Sequence, residues 1–384
     1  MADAMKASRS GAPASGQVDF DLHGLAGIRL LDASAHDVAA VVRQLGPIQA
    51  ALSREPDIVV RFVDRLPITS ELTYLGLDEA GFTDDAFLVL RSKFNSRAMV
   101  KIDFERIGDQ CEIVCERGLA AVPLLIPILN LTVLENGALP LHAAAFTYSG
   151  TGFLATGWSK GGKTETLLAF MKHGASYVGD EWVYLTPDGL KMYGIPEPIR
   201  VWDWHLDFLP EHRQKINAQD RLRLGMFKTL ATLLERAPFT QLGPGSLVSR
   251  LIPVLKRQLF VDLRPERLFG ARACALMGAP QKVLFMASFD QPDTRIRPME
   301  PAEVAHRMVF SLQHERLDLM AYYLKFRFAF PDRANPRLER AEERQREILT
   351  RALAGKETYA VLHPYPVPLD SLFEAINPLC GERI

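Results

Sequence analysis

Three features are scarce in this sequence: cysteine, net charge and long apolar runs. The 384 residues include four cysteines, too few and too scattered for a disulfide framework or a zinc site. Cys111 and Cys115 lie in a strand-like segment and are predicted to be reduced core thiols. The formal net charge is −1, which excludes an overall field favouring DNA, RNA or an anionic membrane. Any anionic ligand must therefore be bound by local groups.

The apolar runs are too short to cross a membrane. The most apolar stretch, LAAVPLLIPILNLTVL at 119–134, contains two prolines, and a membrane-spanning helix needs about 20 residues. We predict a buried helix there. Residues 1–17 are small and polar and lack the apolar segment of a signal peptide, so we predict a disordered tail. These patterns favour a soluble, cytoplasmic protein.

The composition is that of a globular protein, with 48% apolar and 24% charged residues. Short β-rich runs separated by turn residues predict a small α+β domain over 18–117, rich in antiparallel strands. Strands and helices follow over 118–300, and amphipathic patterns predict a mainly helical region over 301–384. The fold class is therefore α/β, or α+β for the chain as a whole.

Residues 157–164, GWSKGGKT, match the pattern G-x-x-x-x-G-K-[ST] in full. GFLAT before them predicts a strand, and TETLLAFMKHG after them predicts a helix. In that setting, backbone N–H groups point at phosphate oxygens, a lysine neutralises the β- and γ-phosphates, and a threonine binds Mg²⁺. The predicted nucleotide-binding residues are Gly157, Trp158, Ser159, Lys160, Gly161, Gly162, Lys163 and Thr164. A glycine-rich turn without a ligand is the alternative.

Two further features accompany this loop. Asp180 and Glu181, in YVGDEW, end an apolar strand sixteen residues after Thr164. A carboxylate at that place is a candidate metal ligand or general base, and a surface turn pair is the alternative. His142 lies fifteen residues before Gly157, on a strand expected to pair with the one that leads into the loop. Its type and position fit a structural and a catalytic role equally.

The sequence resembles the catalytic core of the HPr kinase/phosphorylase family in four features: LHAAAF, the spacing from His142 to Gly157, GWSKGGKTE and GDE. This family is related to the phosphoenolpyruvate carboxykinases. Its members have a histidine strand, then G-x-S-G-x-G-K-S-E, then an Asp-Asp pair at a matching distance. The match covers roughly residues 138–186. It implies a P-loop core of the HPr kinase/phosphoenolpyruvate carboxykinase type within 118–300.

The resemblance also implies roles for the residues at matching positions. ATP would bind at the loop, Thr164 would help to hold Mg²⁺, and Asp180 would take the proton from the substrate hydroxyl. Glu181 falls on the metal-associated second aspartate, and His142 falls on the family's active-site histidine. Glu165 falls on the acidic residue after the loop and joins the nucleotide-binding set. The implied catalytic residues are Asp180, Lys163 and His142, and the implied metal ligands are Thr164, Asp180 and Glu181.

The sequence departs from the family pattern in three places. Lys160 replaces a loop glycine, and Glu181 replaces an aspartate. The family signature E-x-R-G-x-G-x-x-N is missing, and the nearest segment, YGIPEPIRVWDW, contains Arg200 as a candidate phosphate or acceptor contact. A packed or surface arginine is the alternative there. These differences favour a relative of the HPr kinases rather than an HPr kinase itself.

The preferred hypothesis is a phosphotransferase related to HPr serine kinase. It would transfer the γ-phosphate of Mg-ATP to a hydroxyl, in particular that of serine, in a protein, peptide or small molecule. A non-catalytic ATP-binding regulatory module is the main alternative. A carboxykinase-like enzyme is less favoured, because the chain offers no clear set of carboxylate-anchoring arginines. The expected partners are ATP and a phosphoacceptor, without nucleic acid or membrane. A homo-oligomer is allowed, because some family kinases assemble as hexamers.

Overall fold

The computed structural model describes residues 16–91, 97–236 and 247–381. The strands are β1 (Val18–Leu22), β2 (Ala26–Leu31), β3 (Ile58–Val63), β4 (Thr73–Leu75), β5 (Ala80–Phe82), β6 (Phe87–Arg91), β7 (Arg97–Ile102), β8 (Cys111–Glu116), β9 (Leu139–Tyr148), β10 (Thr151–Gly157), β11 (Ser176–Gly179), β12 (Trp182–Leu185), β13 (Met192–Gly194), β14 (Ile199–Trp202), β15 (Phe260–Leu263), β16 (Met277–Gly278), β17 (Lys282–Ser288), β18 (Arg295–Pro298) and β19 (Glu357–His363). The helices are α1 (Ala35–Leu45), α2 (Leu125–Glu135), α3 (Lys163–Lys172), α4 (His205–Phe208), α5 (Ala218–Arg236), α6 (Leu247–Lys256), α7 (Pro265–Phe269), α8 (Pro301–Glu315), α9 (Leu317–Ala329), α10 (Pro336–Glu339), α11 (Ala341–Leu353) and α12 (Leu369–Ile376). The protein is therefore a mixed α/β protein.

The chain divides into two compact units. The first runs to Asn136 and also includes Arg316–Ala341, and the second comprises Gly137–Glu315 and the chain from Glu342 onward. This division differs from the predicted bounds of 18–117, 118–300 and 301–384. The physical reason is that α9 packs on β5 and β6, where Lys325 pairs with Glu79. Of the predicted tail at 1–17, residues 1–15 lie outside the described part of the chain.

The first unit is built on an eight-stranded sheet with the order β1-β2-β3-β8-β7-β6-β5-β4. The pairs β2–β3 and β3–β8 are parallel, so the sheet is mixed, whereas the sequence favoured antiparallel strands. The first parallel pair follows from α1, because a helical crossover returns the chain in the same direction. Ser34 and Asp37 form a capping box that begins this helix. Cys111 and Cys115 are both buried in β8, as predicted.

The apolar stretch at 119–134 forms α2, a buried helix as predicted, but the helix begins only at Leu125. The preceding Leu124 takes a left-handed conformation with φ 59°, so the segment around Pro123 stays outside the helix. Within the described ranges, no helix combines the length and the apolar character needed to cross a membrane.

The second unit contains a nine-stranded sheet. Its order is β16-β13-β12-β9-β10-β17-β19-β18, and β11 also pairs with β9. Residues Leu139–Phe146 of β9 are all buried, which is typical of a central strand covered on both faces. Helix α3 packs on β9 and β10, where the rings of Phe146 and Phe170 stack at 4.7 Å. This core supports the segment between β10 and α3.

The hairpin from β9 to β10 confirms the predicted pair of strands. Its turn consists of Ser149 and Gly150, both with positive φ, as in the two-residue turns that match strand twist. In the resulting register, Thr156 lies opposite Ala143. His142 is thereby placed one residue beyond this last pair, level with Gly157 at the end of the strand that leads into the loop.

Candidate active site

The segment from Gly157 to Gly162 is a tight turn between β10 and α3. A Cβ at Gly157, where φ is 142°, would lie 2.4 Å from the carbonyl oxygen of Met286. Gly162 is the N-cap of α3 with φ 99°, and a Cβ there would lie 2.1 Å from Nε2 of His363. Both positions therefore require glycine, because backbone or a buried ring approaches too closely for any side chain.

Lys160 occupies a position where a phosphate loop commonly has glycine. Its φ is 62°, in the left-handed region that residues with a Cβ rarely adopt. The loop therefore keeps the backbone conformation of glycine and accepts a local strain of about 1–2 kcal/mol. The side chain of Lys160 is exposed.

Lys163, the first residue of α3, is buried and its ammonium group lies over the loop. Nζ donates a hydrogen bond to the carbonyl oxygen of Trp158 at 2.9 Å. Burial lowers the pKa of Lys163, and this is partly opposed by the nearby carboxylates of Glu181 and Asp180. The loop carbonyl and the acidic pair thus keep the charge of this lysine close to the helix N-terminus.

Asp180 lies directly beside the start of α3. The hydroxyl of Thr164 is 3.2 and 3.1 Å from the two carboxyl oxygens of Asp180 and donates to them. Asp180 is buried, and burial together with the negative charge of Glu181 raises its pKa to about 7. The Thr164 hydrogen bond and the Lys163 charge oppose this rise. Such a carboxyl group exchanges a proton near neutral pH, which a general base requires.

Glu181 is held in a strained turn between β11 and β12, which both pair with β9. Its φ is 63°, and the N–H of Trp182 donates to the carbonyl oxygen of Asp180 at 2.8 Å. This is a γ-turn, a conformation that carries strain and is found at functional sites. The N–H of Ala143 donates to the carbonyl oxygen of Glu181 at 3.2 Å. The acidic pair is therefore fixed to the strand that carries His142.

His142 lies between two carboxylates. Its Nε2 is 3.0 Å from Glu181 and its Nδ1 is 2.6 Å from Glu315, the last residue of α8. Burial alone would lower the pKa of His142, but the hydrogen bonds to Glu181 and Glu315 outweigh it and raise the pKa. Two carboxylate partners need two N–H donors, so this geometry favours the imidazolium form.

Glu315 is a site residue that the sequence did not reveal. It lies 173 positions after its partner His142 and belongs to no recognisable motif. The same end of α8 also makes two contacts with the loop. Ser311 donates to the Gly157 carbonyl at 3.4 Å, and the His314 ring stacks on Trp158 at 5.0 Å. The helix thus contacts both the loop and the histidine strand.

Glu165 points into the interior. Its carboxylate is 3.2 Å from Nε2 of the fully buried His205, whose Nδ1 accepts the backbone N–H of Trp202 at 3.2 Å. Because Nδ1 accepts, Nε2 carries the proton and donates to Glu165. Burial would raise the pKa of Glu165, but the hydrogen bond from His205 lowers it below the usual value. Glu165 therefore ties α3 to the segment at the start of α4.

The remaining predicted residues are exposed or half-buried at the loop, or are paired with residues outside the candidate site. Trp158 is 52% exposed, Ser159 is half-buried, and Arg200 forms an ion pair with Asp262 at 3.0 Å. The guanidinium of Arg200 also lies 4.1 Å from the ring centre of Phe260, so the structure places it as a paired arginine on β14. In the described part of the chain, no group of three or more His, Cys, Asp and Glu side chains is arranged to hold a metal ion.

No protein-family model and no curated protein matches the chain. Among solved structures, the chain is similar to the HPr(Ser) kinase/phosphatase from Coxiella burnetii, with 14% sequence identity and a TM-score of 0.21. That similarity covers 49% of this chain and 97% of the other. At this TM-score the similarity does not establish the fold or the activity of this chain.

Proposed function

We propose that this protein is a Mg-ATP-dependent kinase that transfers the γ-phosphate to a hydroxyl, in particular a serine hydroxyl, of a protein, peptide or small molecule. The observation that carries the proposal is the contact between Thr164 and Asp180. It joins a loop of the phosphate-binding pattern to a buried carboxyl group whose pKa is raised to about 7. In this proposal the binding site for phosphates and the base would be adjacent.

The segment from Gly157 to Thr164 would bind the phosphates of ATP. Gly157 allows the close approach of the Met286 backbone, and Gly162 allows that of the His363 ring. The N-terminus of the ten-residue helix α3 favours negative charge. Lys163 is buried at this helix end, so its ammonium would neutralise phosphate oxygens where the dielectric constant is low.

The Thr164 hydroxyl and the Asp180 carboxylate form a donor set that suits Mg²⁺. This ion takes oxygen ligands, commonly one or two protein side chains with phosphate oxygens and waters completing the octahedron. A larger protein cage is therefore not required. Glu181, whose side chain is 49% exposed, could reach the same ion. When bound, Mg²⁺ would neutralise the charge on the transferred phosphoryl group.

Asp180 would act as the general base. Its carboxylate takes the proton of the acceptor hydroxyl while that oxygen forms a bond to the γ-phosphorus and the bond to the leaving oxygen of ADP breaks. His142 would hold the Glu181 carboxylate in place through the 3.0 Å contact and add positive charge near the phosphates.

A non-catalytic ATP-binding module is the rival, and one experiment separates the two functions. The wild type, Lys163→Ala and Asp180→Asn are incubated with γ-labelled ATP and a lysate of the source organism. For a kinase, labelled product depends on both residues, while Asp180→Asn still binds nucleotide. For the rival, nucleotide binds but no labelled species depends on Asp180. Lys101→Ala and Asp84→Asn, at exposed positions of the first unit, are the matched controls.

A further inference from the structure

His363 is the last residue of β19 and is fully buried against the candidate phosphate loop. Its Nε2 lies 2.8 Å from the carbonyl oxygen of Gly161, and its Nδ1 lies 2.8 Å from the carbonyl oxygen of Pro364. The ring is so close to the loop that a Cβ at Gly162 would overlap it. No sequence motif singled out this histidine.

Both partners of the ring are carbonyl oxygens, which only accept hydrogen bonds. A neutral imidazole has one N–H and one lone pair, so it satisfies one of the two and directs its lone pair at the other. An imidazolium has two N–H groups and satisfies both. A buried charge is costly without partners, but here two carbonyl dipoles solvate it. The two contacts therefore match the charged form of His363.

The charged groups around His363 are compatible with that form. The Glu165 carboxylate on α3 lies close enough for the His363 charge to contribute to lowering its pKa, after the larger effects of burial and His205. Glu165 also attracts Lys163 at the start of the same helix. The Glu165 carboxylate thus has Lys163 and His363 as neighbours, and it accepts the Nε2–H of the neutral His205 on α4.

The bond to Gly161 also orients a peptide group. In a trans peptide the C=O and the following N–H point in opposite directions. Because the Gly161 carbonyl is directed at His363, the N–H of Gly162 is directed to the opposite side of the loop. A charged donor on the carbonyl polarises this peptide and strengthens the N–H as a donor.

We propose that His363 is an imidazolium beneath the phosphate loop and a positioning residue for the bound phosphates. It aims the Gly162 N–H by fixing the Gly161 carbonyl, and it places a positive charge behind the loop. The proposal rests on the proposed function in that the ligand is the phosphate chain of a nucleotide. It adds a fourth recognition element to the backbone N–H groups, Lys163 and the helix N-terminus.

The charge state is tested on the wild-type protein by nitrogen NMR of ¹⁵N-histidine-labelled chain. The expected signature at pH 6 is two protonated ring nitrogens for His363, with the signal identified by its loss in His363→Gln or His363→Asn, whichever folds by circular dichroism. Gln retains a donor for Gly161 and Asn retains one for Pro364. A single neutral tautomer at pH 6 overturns the proposal.

The role in binding is tested by titration calorimetry with Mg-ADP over the pH range of the NMR experiment. At a pH where NMR reports the imidazolium, His363→Gln is expected to weaken binding about tenfold, the size of one charge-assisted hydrogen bond. Where NMR reports a neutral ring, the difference should fall below about twofold. Comparing variants at each pH cancels the titration of Asp180 and of the phosphates. Equal affinity of wild type and variant throughout overturns the proposal.

His36→Gln, at an exposed position of the first unit, is the matched control and should bind Mg-ADP like the wild type. The outcomes also separate this inference from the function on which it rests. If the wild type does not bind Mg-ADP, the proposed function fails, and the NMR result still reports the charge of His363. If the wild type binds and His363→Gln binds equally well, the inference alone fails.

Discussion

Asp180 and Glu181 are neighbours in the chain, but their pKa values shift in opposite directions. Asp180 is 2% exposed, and burial raises its pKa to about 7. The Glu181 side chain is 49% exposed. Burial of its carboxyl would raise the pKa of Glu181, but the hydrogen bond and charge of His142, with Lys163 and Arg200, lower it. The two carboxyl groups of one turn thus differ in the direction of their pKa shifts, which favours Asp180 as the candidate base and Glu181 as the group that holds its charge. The environment assigns the roles, as in enzymes that use paired carboxylates.

The largest effect expected from this comparison is on the chemical step. Asp180→Asn should lower kcat of phosphoryl transfer by about 10²–10⁴, the range for loss of a general base. The same chemical change at its neighbour, Glu181→Gln, should lower kcat only about tenfold, because that residue neutralises and orients rather than accepts a proton. Initial rates of labelled-product formation at saturating ATP measure both. Equal losses for the two variants would contradict the assignment.

The next effect concerns Glu315, the second partner of His142. Glu315→Gln should lower kcat about tenfold with little change in KM for ATP, because it loosens the ring that holds Glu181. In a His142→Ala background, Glu315→Gln should cost nothing more, since residues in direct contact are not additive. The double-mutant cycle on kcat measures this coupling. Full additivity would mean that Glu315 acts without His142. Glu303→Gln, on the exposed part of α8, is the matched control.

A smaller effect follows for stability. In the unfolded chain Asp180 has the ordinary pKa of 3.8, whereas in the folded protein its pKa is about 7. Between these values the folded state binds more protons, so this group destabilises the fold as pH rises from about 4 to 7. Asp180→Asn should therefore be more stable than wild type at pH 8, by about 1–3 kcal/mol, and the difference should be clearly smaller at pH 5. Urea denaturation at both pH values tests this, and a constant difference would contradict it.

The smallest effect is expected at Lys160, which has a positive φ of 62°. Lys160→Gly should relieve backbone strain and stabilise the protein by up to about 1 kcal/mol, partly offset by the greater freedom of glycine in the unfolded chain. Thermal unfolding measures this, with Lys191→Gly on another exposed lysine as the control. A Lys160→Gly variant that is destabilised as much as the control would show that the side chain makes a compensating contact.

Much of the candidate site could be predicted from local sequence. The loop, its strand and its helix follow from glycine spacing and apolar periodicity. His142, the loop and the Asp180-Glu181 pair follow one another closely in the chain. The segments that carry them are expected to lie side by side, because a hairpin joins the first two and one short crossover joins the second and third. The prediction for Glu165 gave no hint of its interior pairing with His205, since a pattern match reports position and not the direction of a side chain.

The remaining contacts depend on long-range packing. Glu315 reaches His142 across 173 positions, and His363 reaches Gly161 across 202. No periodicity or turn chemistry relates residues at such separations; they meet because α8 packs on β9 and β10 and β19 lies beside β17. Local patterns therefore established where a phosphate-binding turn and an acidic pair stand in the chain. Which carboxyl group is buried, and which histidines contact the turn and its strand, depends on how the sheet and its helices pack.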